Sequence, residues 1–154
     1  FLLATKTSTL LWQVSAFTLA HTITLALGIF GVINLSSSIV EPLIALSIAF
    51  VAIENIFQQK LTRWRLPIIF AFGLLHGLGF ASVLAEVGLP ESEYISSLLS
   101  FNVGVELGQL TVIALAILAT RWCAKKPWYR LYVVIPASAI ISGIALYWFY
   151  ERII

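Results

Sequence analysis

The sequence predicts an all-α protein, a polytopic bundle of membrane-spanning helices, and three observations support this fold class. The 154 residues are 60% hydrophobic and 10% charged, and the mean hydropathy is +1.01. Five apolar stretches follow one another, each long enough to cross a bilayer core of about 30 Å as a helix. Basic residues collect in alternate loops between these stretches. A water-soluble globular domain is excluded, because such domains carry about 25% charged residues.

The five predicted spans have ends that are uncertain by a few residues. They lie at Thr9–Phe30, Ile39–Gln58, Leu66–Val87, Tyr94–Thr120 and Leu131–Tyr150. None of the breaks between them has the composition of a domain linker, so residues 1–154 are predicted to form a single membrane domain. The opening Phe1-Leu2-Leu3 resembles the end of another apolar segment, which predicts one more helix upstream.

Turn-forming residues separate the spans. The segment Asn34–Ser38 supplies a turn and a helix N-cap, and Gly88–Glu93 and Lys125–Pro127 form two of the other loops. Pro42 and Pro67 lie in first turns, where the missing backbone N–H costs no hydrogen bond.

The charge pattern predicts the orientation of the bundle. Eight of the nine Lys and Arg residues lie before the first span or in the second and fourth loops, whereas the third loop carries only acids. By the positive-inside rule, the Lys60–Arg65 and Arg121–Arg130 loops face the cytoplasm and the C-terminus faces outside. The net charge of +2 does not indicate a nucleic-acid partner, and a single cysteine, Cys123, excludes an intrachain disulfide.

Polar side chains within the spans are the candidates for function, because an ionisable group in the hydrocarbon region costs several kcal/mol. The four predicted metal ligands are His21, Glu54, His76 and Glu106. The supporting polar residues are Thr18, Asn55, Asn102 and Gln109, and the predicted entrance residues are Glu41 and Glu86.

The fourth span carries two features on nearly opposite faces. Asn102, Glu106 and Gln109 recur at i, i+4 and i+7 and form one polar stripe. Gly104 and Gly108 form a GxxxG pair, which predicts close packing on a neighbouring helix, a partner subunit or a second copy.

Three of the candidate ligands fall at one depth. His21, His76 and Glu106 come within about two helical turns of each other near the bilayer centre. Imidazole and carboxylate together suit a divalent transition metal such as nickel, cobalt, zinc or copper. The alternative is that isolated His, Asn and Gln side chains only hydrogen-bond neighbouring helices and fix their packing.

Several separated motifs resemble the HupE/UreJ family of bacterial membrane proteins. They include Glu54-Asn55, the segment His76–Ala81 and the segment Phe101–Gln109, together with Ala16–Leu25 and Val40–Ser47. The resemblance covers the first four spans and the closing Tyr147–Arg152. It implies residence in the bacterial inner membrane and transport of nickel or cobalt. The family's His-rich signature ending in Asp-His precedes the first span and is not found in this sequence, which has no Asp.

Three functions follow from these observations. The first is a permease in which metal enters past Glu86 and Glu41, binds His21, His76 and Glu106 at mid-membrane, and leaves past Glu54. The second is a non-catalytic membrane accessory or assembly subunit of a metalloenzyme, docked through the Gly104/Gly108 face. The third, an intramembrane metal-dependent enzyme, ranks last because no nucleophile stands at a suitable spacing.

Overall fold

The computed structural model describes residues 7–58, 62–87 and 91–154 and confirms the all-α fold class. Within these ranges the chain forms five long helices and no strand. They are α1 (Thr7–Ile29), α2 (Ser37–Phe57), α3 (Arg65–Val87), α4 (Tyr94–Thr120) and α5 (Ile135–Ile153), with a short 3-10 turn at Glu91–Glu93 and a π-helical turn at Arg130–Val134. Among the described residues, each helix is long and apolar enough to span a membrane, which supports a multi-pass membrane protein. The predicted loop residues Lys60 and Gly88–Pro90 lie outside the described ranges.

Helices α1 and α3 make the most extensive contact, and small residues make it possible. A Cβ atom on Gly73 would lie 2.6 Å from the carbonyl oxygen of Phe17. One on Gly77 would overlap Thr24 and the backbone of α1. Across the same crossing, the Thr24 hydroxyl donates to the carbonyl oxygen of Leu74 at 2.7 Å. The two backbones therefore touch, as they do at small-residue crossings in membranes.

Helices α2 and α5 form a second pair, which is fastened near both ends by arginine. Arg130 donates to the carbonyl oxygens of Gln58 and Ile56, at 2.7 and 2.6 Å, and so satisfies the C-terminus of α2. At the opposite end, Arg152 Nε donates to Glu41 Oε2 at 3.0 Å. Between these contacts α5 buries small residues, including Ser138 and Ser142, which fits a packing role for this helix.

Helix α4 packs differently from the prediction. Its only extensive contact with another long helix in the described structure is with α1, and none of its residues is buried. A Cβ on Gly104 or Gly108 would meet no atom within 4 Å, so the predicted close packing of this glycine pair does not occur among the described residues. The close crossing uses the Gly73-xxx-Gly77 spacing of α3 instead.

Candidate functional site

Two cavities lie between the α2–α5 pair and α3, and the larger one is also lined by residues of α1 and α4. We call the first the Glu41 cavity; it has a volume of about 330 Å3, and its walls include Glu41, Trp148 and Arg152. We call the second the Arg65 cavity; it has a volume of about 660 Å3, and its walls include Asn55 and Arg65. Glu41 lies near the start of α2, whereas Arg65, at the start of α3, contacts Glu54 near the end of α2. The two cavities therefore extend towards opposite ends of the bundle.

His76 stands where the two cavities meet. Its side chain and that of Ile48 line both of them. The remaining walls are mainly apolar residues of α2, α3 and α5, such as Ala52 and Ile141, and α4 also contributes to the Arg65 cavity. An ionisable side chain that lines two mainly apolar cavities within the membrane is a candidate functional residue.

A backbone hydrogen bond fixes the chemistry of His76. Nδ1 lies 2.8 Å from the carbonyl oxygen of Phe72, one turn earlier in α3. Because a carbonyl oxygen only accepts, Nδ1 carries the proton, and in the neutral ring Nε2 keeps its lone pair. Metal-binding histidines commonly have this arrangement, in which the other ring N–H donates to a carbonyl oxygen and orients the ring.

His21 is the most deeply enclosed polar side chain of the candidate set. It is fully buried, and neither ring nitrogen has a hydrogen-bond partner among the described residues. Its neighbours include three phenyl rings, with centroid distances of 6.1 Å to Phe17, 5.5 Å to Phe80 and 6.0 Å to Phe101. A buried polar group without a partner calls for an explanation, and a bound ion or water is one.

The ring of Phe17 links the two histidines. Its centroid is 5.1 Å from that of His76 as well as 6.1 Å from that of His21. Phe17 also lines both the Arg65 cavity and a groove between α1 and α4. The two imidazoles are therefore close neighbours, and the ring of Phe17 packs against both.

The structure does not bring Glu106 to the histidines, which corrects the predicted convergence of three groups. The described residues contain no group of three or more His, Cys, Asp or Glu side chains that could hold a metal. Helix α4 is oriented by hydrogen bonds from Thr22 to Asn102, at 2.7 Å, and from Thr18 to Gln109, at 3.4 Å. In that orientation Glu106 lies on the flank of the contact and is exposed.

Glu54 and Asn55 are engaged by an arginine that the sequence reasoning assigned only to a loop. Arg65 Nη1 lies 2.5 Å from Glu54 Oε2 and 3.1 Å from Asn55 Oδ1. Thr62 donates to the other Glu54 oxygen at 3.2 Å. Glu54 is therefore held in an ion pair at one end of the Arg65 cavity, away from the histidines.

The remaining candidates divide into two groups. Thr18, Asn102 and Gln109 form the α1–α4 hydrogen bonds and thus position helices. Glu41 lines the Glu41 cavity, as an entrance residue would, and the side chain of Glu86 lies outside the described part of the chain.

Sequence reasoning missed Arg65 and Phe17. Arg65 is the first residue of α3 and only 3% exposed. The sequence did contain an indication of this role: Arg65 directly precedes the apolar third span, and the second span ends close to an acid, Glu54. For Phe17 the signal was its position one turn before His21 on the same face.

The comparison with known proteins agrees with the motifs. A family model described as HupE / UreJ protein matches residues 1–152. No curated protein and no solved structure matches the chain. Because the family match covers essentially the whole chain, the protein belongs to the HupE/UreJ family, and this membership supports a role in metal transport or as an accessory protein.

Proposed function

We propose that this protein carries a divalent transition-metal ion across the bacterial inner membrane, with nickel and cobalt as the first candidates. The observation that carries the proposal is the position of His76 at the junction of the Glu41 and Arg65 cavities. The ion enters at the Glu41 end, which the positive-inside rule places outside, and leaves at the Arg65 end.

The donor set fits a cargo better than a permanently bound metal. His76 offers Nε2, and His21 offers a nitrogen that has no partner within the described structure. Two imidazoles leave most coordination positions of nickel or cobalt to water. A transport site must bind strongly enough to admit the ion and weakly enough to release it, and a small donor set satisfies both conditions.

Metal uptake into proteoliposomes tests the proposal. We expect His76→Gln to lower nickel or cobalt uptake by about tenfold or more, because the amide can still donate to Phe72 but lacks the ring lone pair. His21→Gln should also lower uptake. Ser138→Ala is the matched control, since Ser138 is likewise buried, its hydroxyl has no partner among the described residues, and it lines neither cavity.

Uptake of nickel, cobalt, copper and zinc at the wild-type rate by both histidine variants would refute the transport route. Calorimetry on the same detergent-purified variants measures binding of these ions. It distinguishes a variant that no longer binds the ion from one that binds it but no longer transports it.

A second candidate, the accessory subunit, is favoured by the surface of α4. Glu106 is near the middle of this span, is exposed, and makes no hydrogen bond or ion pair with any described residue. A mid-membrane carboxyl group facing lipid is costly, so a helix of another protein that covered it would be stabilised there. Co-purification of a stoichiometric partner with the wild type, its loss with Glu106→Leu, and unchanged uptake in His76→Gln would favour this role over transport.

A further inference from the structure

Four of the five long helices form two pairs, each fastened internally, and α4 packs on α1 of the first pair. In the first pair, α1 and α3 touch through Gly73 and Gly77. In the second pair, α2 and α5 are held by Arg130 at one end and by the Arg152–Glu41 ion pair at the other. Contacts between the pairs are less extensive and run mainly between α2 and α3.

The polar contacts between the two pairs are concentrated on one residue. Within the described ranges, the side-chain hydrogen bonds that join α3 to α2 are those of Arg65 to Glu54 and Asn55. All of them lie at the Arg65 end of the bundle. At the other end, the Glu41–Arg152 ion pair joins α2 to α5 and so lies within one helix pair.

Burial makes the Arg65–Glu54 contact strong. The two side chains are only 4% and 11% exposed, whereas those of Arg152 and Glu41 are 36% and 43% exposed. Attraction between opposite charges increases as water is excluded, and separating a buried pair leaves two charges that need new partners.

Arg65 also places a guanidinium group on the wall of the Arg65 cavity. Its Nε has no hydrogen-bond partner among the described residues. A guanidinium group at the wall of a narrow path opposes the passage of positive ions. A metal ion moving from His76 towards the Arg65 end would therefore pass this guanidinium group.

We infer that Arg65, held by Glu54 and Asn55, is a latch that fastens the α2–α5 pair to the α1–α3 pair and closes the Arg65 cavity at that end. Release of the ion requires Arg65 to leave Glu54, so that the α2–α5 pair can swing as a unit. The identity of the released ion rests on the proposed function, whereas the latch itself does not. Arg65 and Glu54 are thus positioning residues that control access to His76.

Thiol labelling tests the latch without any metal. The chain has a single cysteine, so Cys123→Ser gives a thiol-free background. In it, Ala137→Cys places one thiol in the wall of the Arg65 cavity, on α5. A membrane-impermeant maleimide is added separately to each face of sealed vesicles. We expect Glu54→Gln and Arg65→Gln to speed labelling by about tenfold or more from the Arg65 face, because each removes one half of the buried pair.

Two further variants keep the test decisive. Glu41→Gln is the matched control, because it breaks the ion pair inside the α2–α5 unit, and it should leave the labelling rate nearly unchanged. The double variant Glu54→Arg/Arg65→Glu restores an ion pair with the two charges exchanged. It should return the labelling rate towards that of the Ala137→Cys protein without these substitutions.

Unchanged labelling in Glu54→Gln and Arg65→Gln, with protein that still elutes as a single species, would overturn the latch. Equal acceleration by Glu41→Gln would overturn it as well, since that result indicates general loosening. Fast labelling of the Glu54→Gln and Arg65→Gln variants, together with no metal uptake by the wild-type protein, would support the latch and refute the proposed cargo. Metal uptake that depends on His21 and His76, together with unchanged labelling of the two variants, would support the proposed cargo and refute the latch.

Discussion

The ring of Phe17 meets the imidazole of His76 edge-on, with 5.1 Å between the centroids, and the same ring stacks on His21 at 6.1 Å. One aromatic side chain of α1 therefore contacts both histidines of the protein. Since His21 is fully buried and His76 lines both cavities, Phe17 is positioned to separate the reachable imidazole from the enclosed one.

The first prediction concerns this separation. Replacing Phe17 with Leu removes the ring but keeps an apolar side chain, so His21 should become reachable from the Arg65 cavity. Carbethoxylation of His21 by diethyl pyrocarbonate, followed by mass spectrometry, should rise by about threefold or more if the shielded nitrogens come into contact with water.

Trp12→Leu is the control for that experiment, because it also replaces a ring of α1 with Leu, but at a side chain that is 70% exposed. If His21 reacts equally in the wild type and in Phe17→Leu, the ring is not the barrier.

The second prediction concerns the α1–α3 crossing. Gly77→Ala places a methyl group against Thr24 and the α1 backbone, so the two helices must move apart. We expect a loss of about 1–3 kcal/mol in the free energy of unfolding, which is the usual cost of overpacking. Thermal unfolding in detergent, followed by circular dichroism, measures it.

Gly104→Ala is the matched control, since a Cβ there has no neighbour within 4 Å. It should be neutral or slightly stabilising, because alanine favours a helix over glycine. Similar destabilisation by both substitutions would mean that the α1–α3 crossing is not the specific cause, since a methyl group on Gly104 meets no described atom within 4 Å.

The third prediction concerns orientation. In the Cys123→Ser background, Asn34→Cys marks the α1–α2 loop and Lys125→Cys marks the α4–α5 loop. By the positive-inside rule, an impermeant thiol reagent added to intact cells should label only the first position. Permeabilised cells should label both, and the opposite pattern in intact cells would reverse the proposed direction of transport.

Local composition was sufficient to predict the spans. The predicted Tyr94–Thr120 span coincides with α4, and the other four differ from the observed helices by a few residues at either end. Length and apolar content are properties of each segment alone, because in lipid a helix must satisfy its own backbone hydrogen bonds. The N-cap at Ser36 was predictable for a similar reason, since the cap is formed by neighbours in the chain.

The rotation of α4 about its axis could not be predicted in that way. Apolar residues surround this helix on all sides, so their spacing does not define an inward face. Asn102, Glu106 and Gln109 lie on one stripe, yet the hydrogen bonds to Thr22 and Thr18 select the two amides and leave the carboxyl group at the flank.

By itself, the sequence determined the number of spans, their boundaries and the residues available for chemistry, because hydropathy and capping act over one helix at a time. Only the tertiary structure decided which of those residues meet: His76 at the junction of two cavities, Glu54 with Arg65, and His21 among phenyl rings. In lipid, apolar residues face the membrane as well as the interior of the bundle, so hydropathy does not choose which helices pack together. Close backbone packing and a few interhelical hydrogen bonds make that choice, and both depend on the partner helix.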